Sequence, residues 1–171
     1  MGEFLKNRKV YLSSPIENRG SNQWKPSVVR TLEEEFGLDV YDPYKDKKQQ
    51  WVPDLMKARK QKKYDEMSRI AKSFVKKDLA KVDRSDILIA YLPYKVATTG
   101  CHHEIIMADH LQKPVLIVCD KGKEFVPLWF FGFISHEYMF GNWDDLYDFL
   151  RDVNEKKYIN EDKWFYIYDL I

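Results

Sequence analysis

Two carboxylates occupy positions where helical periodicity calls for an apolar side chain. Glu104 falls on the stripe Cys101, Glu104, Ile105, Ala108, Leu111, and Asp78 falls on the stripe that runs from Met67 through Ile70, Ala71, Phe74 and Val75 to Val82. A carboxylate directed into a core is costly unless it is partnered or used. Glu104 also sits in the first turn of its helix, where the positive end of the helix dipole favours the ionised form that a carboxylate nucleophile needs. Capping is the competing explanation for Glu104, but the residue three positions earlier is Cys101, a poor cap. For Asp78 the competing explanation is a buried ion pair or a helix-end hydrogen bond. Its height is informative: a helix antiparallel to the next strand places Asp78 roughly 12 Å above that strand's start, and four to five strand residues span a similar ~13–17 Å. Asp78 is therefore expected level with the strand's carboxyl end.

Around these acids lie weaker signals. Thr98, Thr99 and Gly100 supply hydroxyls and a pliable backbone before a helix N-terminus, a cradle for a hydroxyl-bearing or anionic ligand. Ser13 and Ser14, with Pro15, have the same character after the first strand, and Asp42 follows the second. Neither loop has the spacing of a dinucleotide fingerprint or a P-loop, which disfavours a nicotinamide or ATP site. Cys101, His102, His103 and His110 do not make a metal set, because adjacent helical histidines diverge by about 100° and no second cluster completes them. Neither Ser-His-Asp nor Cys-His chemistry is indicated. The expectation is a site with no cofactor and no metal.

The elements that must position these residues alternate between strand and helix. KVYL at 9–12 reads as a first strand; a helix follows from Pro26 through Val28, Val29, Leu32 and Phe36 and stops at Gly37. A second strand at 38–41 closes on Asp42-Pro43, and the charged stretch 44–60, with Trp51 and Pro53, reads as a lid more than a core element. A long helix begins at Tyr64. The continuous apolar runs ILIAYL (87–92) and VLIVC (115–119) are buried strands flanking a helix over 101–111. A short strand within 132–140, a helix from Trp143 to about Val153 and an apolar C-terminus, KWFYIYDLI, complete the chain. The reading is one α/β domain over 1–171, a parallel sheet with helices on both faces, flavodoxin-like or Rossmann-like. In such a sheet ligands bind beyond the carboxyl ends of the strands, which selects residues 13–22, 42–53 and 93–104.

Bulk properties narrow the partners. The 171 residues carry 28 basic and 27 acidic side chains, a formal charge of +1, which lacks the basic footprint of a nucleic-acid polymer binder. No run approaches a membrane span, MGEFLKNRKVYL has no secretory apolar region, and two unpatterned cysteines suit a reducing compartment; a cytoplasmic protein is expected. Aromatic content of 15% offers stacking faces for a flat ligand, although each ring singly serves as well in a core or subunit interface.

Three stretches together resemble the nucleoside 2-deoxyribosyltransferase family, which includes deoxynucleoside 5'-phosphate N-hydrolases and CMP N-glycosidases: KVYLSSP at 9–15, KDLAKVDRSDILIAYLP at 77–93 and TTGCHHEIIMADHLQKPVLIV at 98–118. The resemblance implies that Glu104, in a Gly-x-x-x-Glu setting from Gly100, is the nucleophile, that Asp78 is the second carboxylate, and that Tyr11 touches the nucleophile. It further implies a double displacement on a nucleoside or nucleotide, with a free nucleobase released, and a homodimer or larger assembly. A neighbouring subunit would complete the pocket through Ser135 and His136. The loop 94–98 lacks the acid that several transferases of the family use on the base, and the 5'-phosphate loop of the hydrolases corresponds here to SSPIENRG, with Glu17 and Arg19 of opposite charge. Three readings follow: a deoxyribosyltransferase first, a 5'-monophosphate N-glycoside hydrolase second, and a nucleotide-binding sensor without turnover third.

Overall fold

The computed structural model describes residues 4–15, 23–45, 51–158 and 163–164. The described chain runs β1 (Lys9–Ser13), α1 (Trp24–Glu34), β2 (Asp39–Tyr41), α2 (Trp51–Lys60), α3 (Tyr64–Asp83), β3 (Ile87–Tyr91), α4 (Thr99–His110), β4 (Val115–Val118), β5 (Met139–Phe140) and α5 (Trp143–Asn154), with short 3-10 turns at Pro43–Lys45, Lys123–Phe125, Leu128–Gly132 and His136–Tyr138. The five strands form one sheet in the order β2-β1-β3-β4-β5, and every neighbouring pair is parallel. This is the flavodoxin-like order, and the direction of winding reverses between β1 and β3.

Parallel strands joined by right-handed crossovers must be covered on both faces, so their side chains are apolar without alternation. Val10, Leu12, Ile87, Leu88, Ile89, Val115, Leu116 and Ile117 are all buried. On one face α1 meets α5: Phe36 packs on Tyr147, Trp24 stacks on Trp143 at 5.0 Å, and Arg151 pairs with Glu35. On the other, α3 packs against both α2 and α4.

Local chemistry sets the element ends. The helix α1 finishes in a Schellman arrangement, with Gly37 N–H on Glu33 O and Leu38 N–H on Leu32 O, and Gly37 takes φ +67. A Cβ there would be 3.3 Å from the Lys6 backbone, so glycine is favoured twice over. Asn142 caps α5 by accepting from Asp145 N–H at 2.8 Å. The α5 stripe Leu146, Phe149, Leu150 and Val153 is buried at helical spacing.

Strand ends differ from the sequence expectation by one residue, and the helices α1, α2 and α4 differ further. Residues 51–60 form a helix, whose Pro53 falls in the first turn where its missing N–H costs nothing. The helix α1 begins at Trp24, so Pro26 is its third residue, and α4 begins at Thr99, not Cys101. At the C-terminus Trp164 is fully buried against Phe149, and Lys163 pairs with Asp109; the remainder of KWFYIYDLI lies outside the described residues, as do Glu17 and Arg19. No described helix is long and apolar enough to cross a membrane.

Candidate active site

Because the winding reverses between β1 and β3, the loops that follow them part and leave a crevice at the sheet's carboxyl edge. Strand pairing sets Tyr11 opposite Leu88 and Ser13 opposite Ala90, and both polar side chains are fully buried. They meet Glu104, which α4 carries into the same place. Tyr11 OH donates to Glu104 Oε1 at 2.7 Å, and Ser13 Oγ donates to Oε2 at 2.5 Å. Glu104 is 9% exposed, enough to reach the crevice. Two donors on two oxygens support the carboxylate charge and fix its plane. Burial first, then the adjacent Glu104 charge and hydrogen bond, holds the Tyr11 phenol far above its usual range, so it stays a donor.

Behind this trio lies a buried ion pair. Lys25 Nζ contacts Asp42 Oδ1 at 2.9 Å, with both side chains 6% exposed. Burial pulls the Lys25 pKa down, while Asp42 foremost, then Cys101 and Glu104, pull it up. Burial also pushes the Cys101 thiol up to about 12, which leaves it protonated and unsuited to nucleophilic attack.

In front of Glu104 opens a cavity of about 230 Å³. Its wall is Ser14, Pro15 and the run from Ala97 to Cys101; its roof is Val52, Leu55, Met56 and Arg59 of α2 with Phe74 of α3. Thr98 is held by a 2.8 Å contact between its Oγ1 and Nε2 of His102, whose ring meets Phe130 edge-on. The small end, of hydroxyls and the carboxylate, suits a sugar; the apolar roof suits a flat ring.

The residues singled out in the sequence separate into groups. Glu104, Tyr11 and Ser13 are joined by hydrogen bonds, and Ser14, Thr98, Thr99 and Gly100 line the cavity with Glu104. Asp78 is buried at 5% exposure on α3 and is not part of the cavity lining; Asp42 is turned to Lys25. His136 and Ser135 are exposed near the end of the 128–132 turn, away from this chain's cavity. No group of three or more metal-ligating side chains occurs among the described residues. Sequence reasoning missed Lys25 and Arg59. The spacing 52, 55, 56, 59 is a helical stripe that was open to reading, whereas nothing in the sequence marks Lys25.

The family model for nucleoside 2-deoxyribosyltransferase matches residues 10–163. The chain belongs to that family. Among solved structures, the 2-deoxyribosyltransferase of Bacillus psychrosaccharolyticus is similar in fold, with a TM-score of 0.55 and 18% identity over 81% of this chain and 89% of that one. The CMP N-glycosidase of Clostridium botulinum aligns with a TM-score of 0.47 and 14% identity, over 87% of this chain and 99% of that one. No curated protein matches the sequence. The family match spans all the strands except the first residue of β1, together with every residue of the Glu104 constellation.

Proposed function

We propose that this protein cleaves the N-glycosidic bond of a 2'-deoxynucleoside through a covalent ester on Glu104 and passes the deoxyribosyl group to a second base. The observation that carries the reading is the buried pair of hydrogen bonds from Tyr11 and Ser13, which aims a carboxylate at the cavity mouth. Glu104 attacks C1' as the base leaves with the bonding electrons; the incoming base then displaces the carboxylate from C1'. In this reading Thr98, Thr99 and Ser14, which line the cavity, hold sugar hydroxyls, and the α2 roof excludes water. Asp78, on the helix that packs against α4, acts in this reading as a support for the nucleophile's surroundings.

A second reading, hydrolysis of a deoxynucleoside 5'-monophosphate or CMP-like nucleotide, draws on one observation: among the described residues the cavity holds no acid other than Glu104 to manage an incoming base. Water then resolves the ester. A second copy of the chain fits either reading, because Leu128 and Trp129, in the turn that precedes Ser135 and His136, are 84% and 79% exposed. The free, buried cysteines Cys101 and Cys119 agree with action in the cytoplasm.

The test is incubation with a deoxynucleoside, with and without a second free base, and separately with its 5'-monophosphate, followed by chromatography of bases and nucleosides. New nucleoside supports transfer, and free base alone supports hydrolysis. Binding without release from any substrate would favour a sensor. Glu104→Ala is expected to abolish both products, and full activity in that variant would sink the mechanism.

A further inference from the structure

An N-glycosidic bond breaks only if the departing base is relieved of its negative charge, by a proton or by a cation. Among the described residues, the cavity in front of Glu104 has no second carboxyl group, and its histidine neighbour His102 faces Thr98 from behind the wall. Among the described residues that line it, the cavity holds one cation, Arg59. Val52, Leu55, Met56 and Arg59 recur on α2 at i, i+3, i+4 and i+7, so one helical face presents an apolar slot that ends in a guanidinium. Leu55, Met56 and Phe74 offer the faces on which a base would lie, and Arg59 follows them by one turn.

We propose that Arg59 stabilises the departing nucleobase as an anion, and that the site therefore takes bases with carbonyl oxygens, pyrimidinones and oxopurines, over adenine. This rests on the N-glycoside reading above. The Glu104 carboxylate forms the bond to C1', the C1'–N pair moves onto the base, and the charge spreads to its carbonyl oxygens. Arg59 donates two N–H bonds to that charge and keeps its own proton. The base is protonated by solvent on release, and a second base or water displaces the carboxylate from C1' and gives up its own proton to solvent. Adenine has no carbonyl oxygen and gains least from such a partner.

Arg59 is exposed on the outer helix, so its replacement leaves the core intact. The experiment compares wild type, Arg59→Met and Arg59→Lys on 2'-deoxyuridine, 2'-deoxyadenosine and 7-methyl-2'-deoxyguanosine, and on the 5'-monophosphate of the first. The methylated purine leaves as a neutral base and needs no cation. Arg59→Met is expected to lower kcat/KM on deoxyuridine about a hundredfold, the scale for losing one preorganised charge partner, while cleavage of the methylated substrate is unchanged. Arg59→Lys recovers part of the loss. An equal fall on all substrates, or a fall confined to the monophosphate, would overturn the proposal, the latter by making Arg59 a phosphate ligand. If wild type releases no base even from the methylated substrate above the uncatalysed rate, the N-glycoside reading itself fails and takes this one with it.

Discussion

Tyr11 and Glu104 are 93 positions apart in sequence and joined by a 2.7 Å hydrogen bond inside the domain. The strand β1 and the helix α4 must both be in register for that bond to form, so folding of the sheet and assembly of the Glu104 constellation are one event. Replacing Tyr11 by Phe keeps the ring, which packs 5.6 Å from Tyr41, and deletes only the donor. We expect kcat to fall of order ten- to a hundredfold through misorientation of the carboxylate, with little change in KM. The melting temperature of Tyr11→Phe should fall modestly, since a buried acceptor loses one partner at about 1–3 kcal/mol. Steady-state kinetics that leave kcat untouched would remove Tyr11 from the mechanism.

The ion pair of Lys25 and Asp42 makes a second, separable prediction. Either single change, Lys25→Met or Asp42→Leu, strands a buried charge and is expected to destabilise by about 3–5 kcal/mol. The double variant Lys25→Met with Asp42→Leu removes both charges and should recover most of that loss. Urea unfolding of the three variants measures this directly. Additive losses in the double variant would show that the two side chains do not act as a pair.

These two constellations show what the sequence carries and what it withholds. The strands β3 and β4 were legible as unbroken apolar runs because a parallel sheet buries both faces, and α3 was legible from its stripe. Glu104 was legible because a charge on an apolar stripe breaks a pattern. Lys25 breaks none: a lysine near a helix start is ordinary, and its partner Asp42 lies 17 positions away, beside it only once β2 pairs with β1. The helix α2 was hidden for a different reason. Four of its ten residues are charged and a proline stands third, and its apolar stripe faces a cavity instead of the core, so the usual signal of a packed face is thin.

His102 predicts a pH dependence. Burial lowers its pKa below the ordinary 6.5 in the folded protein. The unfolded chain therefore binds the proton more readily, and the associated stability is fully present above pH 6.5 and lost as pH falls through the folded pKa. Thermal melts from pH 7.5 downward should show wild type losing stability below about 6.5, and His102→Gln should flatten that part of the profile. An unchanged profile in the variant would assign the acid lability to other groups.

The last prediction concerns the second copy. Trp129 is 79% exposed and Leu128 84%, with Phe131 at 40%, so the turn Leu128–Gly132 presents apolar side chains to solvent in the single chain. Burial of such side chains is worth about 1.5–3 kcal/mol each, which is a strong drive for self-association. Ser135 and His136 follow that turn by three and four residues, are exposed, and do not line their own chain's cavity. If a partner copy covers the turn, it brings these two side chains to the neighbour's site. Trp129→Asp places a charge in the centre of that surface. It should shift sedimentation from dimer or larger to monomer and lower activity in proportion to the monomer fraction, while the far-UV circular dichroism stays the same. His136→Ala should lower activity without changing sedimentation. A monomeric Trp129→Asp protein with full activity would mean that each chain's site is complete without a second copy, and would leave Glu104, Tyr11 and Ser13 to act with the cavity of a single chain.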